Sequence, residues 1–160
     1  MALKPKDDGE DPEVRIRAWI ERFGPEVEKL FASARRALRK RFPTANELAY
    51  DYADSLVVSY TPGERGIEGI VALSARAEGL SLYLLNGPTL PDPKKLLQGT
   101  GKQTRFIPLE SSRRLSHPDV AALVDAAEAA AKVPLPPSGK GRVIIQSSTA
   151  KRAKRPRSSR

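Results

Sequence analysis

The stretch that decides the fold runs from residue 56 to residue 85 and reads LVVSYTPGERGIEGIVALSARAEGLSLYLL. It holds three runs rich in β-branched, aromatic and aliphatic residues, at residues 56–61, 67–74 and 80–85. The turn residues 62–66 and the short connection 77–79 separate these runs. Because such short connections join neighbouring strands only when the strands run antiparallel, the stretch predicts an antiparallel meander.

Two further runs extend the meander on either side. Residues 46–52 alternate, with Leu48, Tyr50 and Tyr52 on one face and acidic or small residues on the other. Residues 105–109 give a fifth strand, which Pro108 restricts to an edge or a strand end. We therefore predict a five-stranded antiparallel sheet, to which residues 143–145 could add a short strand.

Helical periodicity flanks this sheet. Asp11 and Pro12 begin one predicted helix as N-cap and first residue, and Pro25 begins a second that runs to about Arg41. A last helix is predicted to begin with Ser116 as its cap and to end near Lys132. The fold class is therefore α+β, with helices packed on one face of the sheet. The predicted core contains Trp19, Phe23, Leu30, Phe31, Leu38, Val71, Leu82, Tyr83, Phe106 and Leu123.

Composition divides the chain into three parts. Residues 1–10 are polar and are predicted to be frayed, residues 11–132 form the α+β domain, and residues 133–160 form a proline-containing linker and a largely disordered basic tail. The chain has no Cys, one His and one Met, which excludes disulfide scaffolds, thiolate metal sites and cysteine nucleophiles. No apolar run is long enough to span a membrane, so we expect a soluble, cytosolic protein.

The net charge of +9 is concentrated at the C-terminus. Residues 139–160 hold eight basic residues and no acid, whereas residues 1–138 hold 20 basic and 19 acidic residues. A segment of this kind predicts weak, non-specific binding to nucleic acid through counterion release. The residues expected to carry it are Lys151, Arg152, Lys154, Arg155 and Arg157.

Short motifs between residues 80 and 106 carry a resemblance to a known family. They are the SLYLL strand at residues 81–85, the Pro91-Asp92-Pro93 bend with Leu96-Leu97, and GTGKQTRF at residues 99–106. In this order they resemble the YdhG-like domain family, a bacterial family of unknown function. The resemblance implies a compact α+β fold similar to that of frataxin. Members often carry Gly-Met-Pro in the first hairpin, where this chain has Ala53-Asp54-Ser55.

The most specific site prediction lies in the same region. The two glycines of Gly99-Thr100-Gly101-Lys102 allow positive φ angles and can leave amides exposed beside Lys102 and Arg105. We therefore predict a small anion site at Gly99, Gly101, Lys102 and Arg105. The simpler interpretation is a turn whose glycines only satisfy its geometry. The loop is not a Walker A motif, because Gln103 stands where Ser or Thr is required and the loop leads into a strand.

Other polar groups give weaker signals. His117 precedes Pro118 at a helix start, a place that is more often structural than catalytic. The N-terminal acids, among them Asp7 and Asp8, could hold a hard cation, although a solvated terminus explains them as well. Five cations in residues 35–41 lie at a helix C-terminus, where the helix dipole favours them, and they could also bind an anionic partner.

These observations favour a non-catalytic binding domain that engages a small anionic ligand or a protein partner. The alternative is a protein that binds nucleic acid weakly through its basic tail. A further alternative, taken from the resemblance, is iron handling of the frataxin kind. No set of residues forms a credible catalytic mechanism, and we predict no catalytic residue, no cofactor and no metal requirement for folding.

Overall fold

The computed structural model describes residues 11–147, which form three α-helices and one six-stranded sheet. The helices are α1 (Pro12–Ile20), α2 (Pro25–Arg41) and α3 (Pro118–Ala129). The strands are β1 (Asn46–Asp51), β2 (Leu56–Thr61), β3 (Val71–Arg76), β4 (Gly79–Leu85), β5 (Thr104–Leu109) and β6 (Val143–Ser147). The α+β class predicted from the sequence is confirmed.

Local sequence signals explain where the helices begin. The Asp11 carboxylate accepts a hydrogen bond from the Glu13 backbone N–H at 3.0 Å, so it caps α1 as predicted. Gly24 has a φ of 94°, which lets the chain turn into α2 at Pro25. The predicted cap of α3 is wrong by one residue. His117 Nδ1 accepts from the Asp119 N–H at 3.2 Å, whereas the Ser116 hydroxyl donates backwards to the Arg113 carbonyl.

The sheet has the strand order β5-β4-β3-β2-β1-β6. Strands β1 to β5 pair in sequence and antiparallel, as the meander predicts. Strand β6 pairs parallel with β1, so the prediction of five antiparallel strands is corrected to six strands in a mixed sheet. This pairing joins residues almost one hundred positions apart, and a five-residue run carries no local signal for so distant a partner.

Strand β6 also changes the outline of the folded region. It lies beyond Lys132, within the segment that the sequence indicates as linker and tail, and it extends the sheet to Ser147. The five tail residues predicted to bind nucleic acid, Lys151, Arg152, Lys154, Arg155 and Arg157, lie outside the described residues, as do residues 1–10.

All three helices pack on one face of the sheet, which we call the helix face. Strand alternation places Val58, Leu73 and Leu82 there, and each is buried. Of the predicted core, Phe31, Leu38, Val71, Leu82 and Leu123 are buried, whereas Trp19, Phe23 and Leu30 are partly buried at its margin.

The predicted core positions of Tyr83 and Phe106 are wrong. Tyr83 alternates with the buried Leu82 and Leu84 along β4, so its ring projects from the opposite face of the sheet. Phe106 pairs with Tyr83 across β4 and β5 and shares that face. We call this side the open face, because no helix of the described residues covers it.

Candidate functional site

The open face carries a pocket of about 260 Å³ near the middle of the sheet. We call it the tyrosine pocket, because Tyr50, Tyr52 and Tyr83 line it together with smaller side chains. Every residue that lines it is uncharged at neutral pH. Its main lining residues are Tyr50, Tyr52, Val57, Ser59, Tyr83 and Thr104.

A loop that crosses the open face forms one wall of the pocket. It includes a short 3-10 turn at Gly66–Glu68, where the sequence predicts the start of a strand. A side chain at Gly66 would collide with the Tyr50 hydroxyl, and a Cβ at Gly69 would lie 2.6 Å from Ser59 Oγ. Glycine at these two positions therefore allows the loop to lie directly against the sheet.

Polar contacts from the sheet edge hold this loop in place. The Asn46 amide donates to the Gly63 carbonyl at 2.9 Å, and the Gln146 amide donates to the Glu64 carbonyl at 2.7 Å. Arg142 adds an ion pair with the Glu64 carboxylate at 2.7 Å. Because Arg142 and Gln146 belong to the C-terminal segment around β6, that segment supports the pocket wall as well as the sheet.

The aromatic rings of the open face form two pairs. The Tyr50 and Tyr52 rings stack near the end of β1, with centroids 5.8 Å apart and planes 25° apart. The Tyr83 and Phe106 rings pair across β4 and β5 at 5.2 Å and 31°. Burial, with a smaller contribution from the neighbouring Tyr52 hydroxyl, raises the pKa of Tyr50, so this tyrosine stays neutral at physiological pH.

The predicted anion loop adjoins this pocket. Lys102 is exposed and stands two residues before Thr104, which lines the pocket, so its backbone lies within about 7 Å of that wall. Arg105 Nε donates to the Gly101 carbonyl at 3.0 Å, which uses part of its hydrogen-bonding capacity to close the loop. Gly99 has a φ of 100° and lies against the Phe106 ring. The structure therefore brings Gly99, Gly101 and Arg105 into one folded loop, in which Lys102 is exposed.

The bend that contributes to the family resemblance has a structural task. Both oxygens of the Asp92 carboxylate accept backbone hydrogen bonds, from Leu96 N–H at 2.8 Å and Leu97 N–H at 2.9 Å. This cap holds an irregular turn, so the helical turns that residues 92–97 predict are not formed. Leu96 and Leu97 then pack at the margin of the core.

The helix face holds a contrasting cluster of charges, which we call the arginine network. Arg35 of α2 donates to Glu47 of β1 at 2.9 and 3.0 Å and to Glu13 of α1 at 2.9 and 3.0 Å. Arg39 also donates to both carboxylates, and the Tyr60 hydroxyl donates to Glu47 at 2.6 Å. The network therefore ties α1 and α2 to the first two strands.

The electrostatics of this network favour the charged forms of its two carboxyl groups. Burial alone would raise the pKa of Glu47, but the hydrogen bonds and charge of Arg35, with help from Tyr60 and Arg39, lower it below its usual range. The hydrogen bond from Arg35 likewise lowers the pKa of Glu13. Burial beside the Glu47 carboxylate raises the pKa of Tyr60 well above its usual value.

Three of the five cations in residues 35–41 are therefore engaged within the fold. Arg35 and Arg39 belong to the arginine network, and Arg41 pairs with Asp125 and Glu128 of α3, each at 2.7 Å. Among residues 11–147, no group of three or more His, Cys, Asp or Glu side chains is placed to hold a metal ion. Nor is any helix in that part of the chain long and apolar enough to cross a membrane.

Comparison of the chain with protein-family models, with curated proteins and with solved structures finds no match in any of the three. The resemblance to the YdhG-like family and the frataxin-like architecture that it implies therefore stay predictions.

Proposed function

We propose that this chain is a non-catalytic binding domain whose ligand site is the tyrosine pocket. The observation that carries the proposal is an uncharged, ring-lined cavity of about 260 Å³ on a sheet face that the helices leave open. Pockets for drug-sized ligands usually measure about 300–1,000 Å³, so this cavity suits a single flat ring system. Tyrosine rings favour such a group because they stack on its face and offer hydroxyls to its edge.

The rim of the pocket adds a preference for negative charge. Lys102 is exposed and lies two residues before Thr104 of the pocket wall, so its ammonium group is within reach of a ligand that extends out of the cavity on that side. A ligand with a flat uncharged ring in the pocket and a phosphate or carboxylate towards Lys102 would satisfy both features. The proposed ligand is therefore the small anion expected from the sequence, with the addition that it also carries a flat ring.

The chemistry of the lining supports binding in preference to catalysis. General acid–base catalysis needs a group that exchanges a proton near neutral pH. The side chains in the pocket offer only hydroxyl groups for this purpose, and the raised pKa of Tyr50 moves that phenol further from neutrality. The bacterial cytosolic setting follows from the family resemblance and stays part of the proposal.

An NMR titration with adenosine monophosphate, adenosine and ribose 5-phosphate tests this function. We expect the monophosphate to shift the amide signals of Tyr83, Thr104 and Lys102 first. Adenosine should move the pocket signals and leave Lys102 nearly still, and ribose 5-phosphate should bind much more weakly. If none of the three ligands moves the open face, the proposed site is wrong.

Two substitutions separate the ring from the charge. Tyr83→Ala should weaken the binding of adenosine and of its monophosphate, whereas Lys102→Ala should weaken that of the monophosphate alone. The matched control is Lys132→Ala, which removes an exposed cation just beyond α3 and should leave both affinities unchanged. Equal effects of Lys102→Ala and Lys132→Ala would remove the loop from the site.

A further inference from the structure

A further cavity lies between α2 and α3, and we infer that it binds a small alkyl carboxylate. The alkyl chain lies along the aliphatic lining of the cavity, and the carboxylate meets Lys40 and Arg113 at its rim. This site is separate from the proposed function, because the residues that form it do not line the tyrosine pocket.

Three elements of the helical layer form this cavity, which we call the α2–α3 groove. Helices α2 and α3 supply its walls, and a short 3-10 turn at Ser112–Ser116 lies against both helices. Its volume is about 520 Å³, which falls within the range usual for small-molecule sites. The apolar residues that line it are Ala37, Leu38, Leu115, Ala121 and Val124.

The lining of the groove suits an alkyl chain better than a ring. Leu38 and Val124 are buried beneath it, and Ala37 and Ala121 leave room because their side chains end at Cβ. Among the described residues that line the groove, none is aromatic, in contrast to the tyrosine pocket. A flat ring therefore gains no stacking here, whereas a flexible chain needs only apolar surface to cover.

The hydroxyl groups inside the groove are already engaged. Ser112 Oγ shares a hydrogen bond with Ser33 Oγ at 3.0 Å, and the Ser116 hydroxyl donates to the Arg113 carbonyl at 2.9 Å. The interior therefore offers a ligand mainly apolar contacts, and polar recognition is left to the rim.

The rim of the groove is positive. Lys40 and Arg113 are exposed, and neither side chain makes an ion pair or a hydrogen bond with any of the residues 11–147. Arg41 also lines the groove, but the carboxylates of Asp125 and Glu128 accept from its guanidinium at 2.7 Å each. Because no acid of the described residues lines the groove, a ligand carboxylate supplies the counter-charge that Lys40 and Arg113 lack.

The helix ends beside the groove do not decide its charge. Helix α2 ends at Arg41, and Ala121 belongs to the beginning of α3, so the negative end of one dipole and the positive end of the other both border the groove. The side chains of Lys40 and Arg113 therefore set the preference. A carboxylate can pair with a guanidinium such as that of Arg113 through two parallel hydrogen bonds.

The size of the groove favours a small ligand over a protein. Ten residues line it, whereas a stable protein interface takes about 20–30 residues from each partner. A medium-length alkyl acid such as octanoate fits these features.

An NMR titration of the full chain with octanoate, at neutral pH and constant ionic strength, tests the inference. We expect the methyl signals of Leu38, Leu115 and Val124 to shift and to saturate in the millimolar range or below. Octanol keeps the chain without the charge and should bind about fivefold more weakly. Acetate keeps the charge without the chain and should leave the methyl signals still.

Charge variants locate the carboxylate. Lys40→Gln and Arg113→Gln should each weaken octanoate binding about fivefold and leave octanol binding unchanged. The matched control is Lys29→Gln, which removes an exposed cation of α2 that does not line the groove. An equal effect of Lys29→Gln would show that the net charge of the chain attracts octanoate, and it would overturn the site.

A filled groove should exclude the alkyl chain. Ala121→Leu should abolish the binding of octanoate and of octanol, whereas Ala32→Leu, at an exposed position of α2 outside the groove, should change neither. Ala37→Leu fills the groove from α2 and replaces Ala121→Leu if that variant lowers the melting temperature.

Three further results would overturn the inference. Octanol that binds as tightly as octanoate would show that the rim does not select a charge. Octanoate that shifts the signals of Tyr83 in place of the groove methyl signals would assign the alkyl acid to the tyrosine pocket. Groove signals that move with protein concentration alone would assign the groove to a second copy of this chain. The first and third results leave the proposed function intact, because the titration with adenosine monophosphate reads the open face.

Discussion

The two faces of the sheet use the same strands, but helices cover only one of them. On β1 the acidic side, with Glu47 and Asp51, turns towards the helices and is buried, whereas Tyr50 on the other side remains partly exposed. The acids can be buried because arginines from the helical layer meet them, Arg35 at Glu47 and Arg22 at Asp51. A charged residue on a strand therefore need not face solvent when a helix supplies a residue of opposite charge to pair with it.

The largest effect is expected from breaking the arginine network. Arg35→Ala would leave the Glu47 carboxylate buried without its main partner, which costs about 3–5 kcal/mol of unfolding free energy in comparable sites. A urea melt followed by circular dichroism measures it. The matched control is Arg36→Ala, the next residue along α2, which is exposed and should change stability by less than about 0.5 kcal/mol. Equal effects of the two substitutions would show that the network does not stabilise the fold.

A smaller loss of stability is expected in acid, again on the helix face. Glu13 and Glu47 have folded-state pKa values below their ordinary value of 4.5, so the unfolded chain binds their protons first as the pH falls. Their contribution is complete above pH 4.5 and is lost as the pH falls through the folded pKa values. Glu13→Gln should reduce this dependence in urea melts at pH 7, 5 and 3.5, whereas Glu21→Gln should not. A Glu13→Gln chain with the same acid profile as the unaltered protein would contradict the assignment.

On the helix face, the sequence alone predicts the helices and strands but not which residues meet between them. Periodicity and capping signals predict α1, α2 and the first five strands, because each depends on neighbours in the chain. Alternation along β1 also separates Glu47 from Tyr50. Alternation alone cannot show which side of β1 faces the helices, because that depends on Arg35, which belongs to another element.

On the open face, the sequence alone predicts less of the structure. The loop at residues 99–105 can be recognised in the sequence from its glycines. The neighbouring tyrosine pocket cannot, because it is formed by residues of β1, β4 and a loop that are distant in the sequence. That loop lies on the sheet only because Gly66 and Gly69 have no side chain. Large aromatic residues such as Tyr83 and Phe106 are usually assigned to the core, which is why their place on the open face was not predicted. A signal was present in the alternation of β4, where the leucines already fill the buried side.

A change at the pocket wall should affect the open face more than the stability of the whole fold. Gly66→Ala would force the Tyr50 hydroxyl away from the loop, at a cost of about 1–2 kcal/mol, which is typical of mild overpacking. Because burial raises the pKa of Tyr50, displacement into solvent should lower that pKa towards its ordinary value of 10.0. Spectrophotometric titration of tyrosine measures the change, with Gly63→Ala as the comparison in the same loop. An unchanged titration curve would show that the wall does not press on Tyr50.

The smallest effect on stability is expected at the pocket itself. The Tyr83 hydroxyl makes no hydrogen bond to any of the residues 11–147, so Tyr83→Phe should change the unfolding free energy by less than about 0.5 kcal/mol. Thermal melts of the two proteins should coincide within about 2–3 °C. A loss of more than about 1 kcal/mol of unfolding free energy would mean that the Tyr83 hydroxyl stabilises the fold. The contrast between the two faces would then disappear.

The parallel pairing of β6 with β1 has a consequence for how the protein is made. The ribosome must synthesise about a hundred residues beyond β1 before β1 acquires its outer neighbour, and until then the backbone groups of residues 46–51 form an unpaired edge. Such an edge can pair with the same edge of another nascent chain. A chain shortened to Lys132 would keep that edge permanently, so it should aggregate during expression, whereas one ending at Ser147 should remain monodisperse.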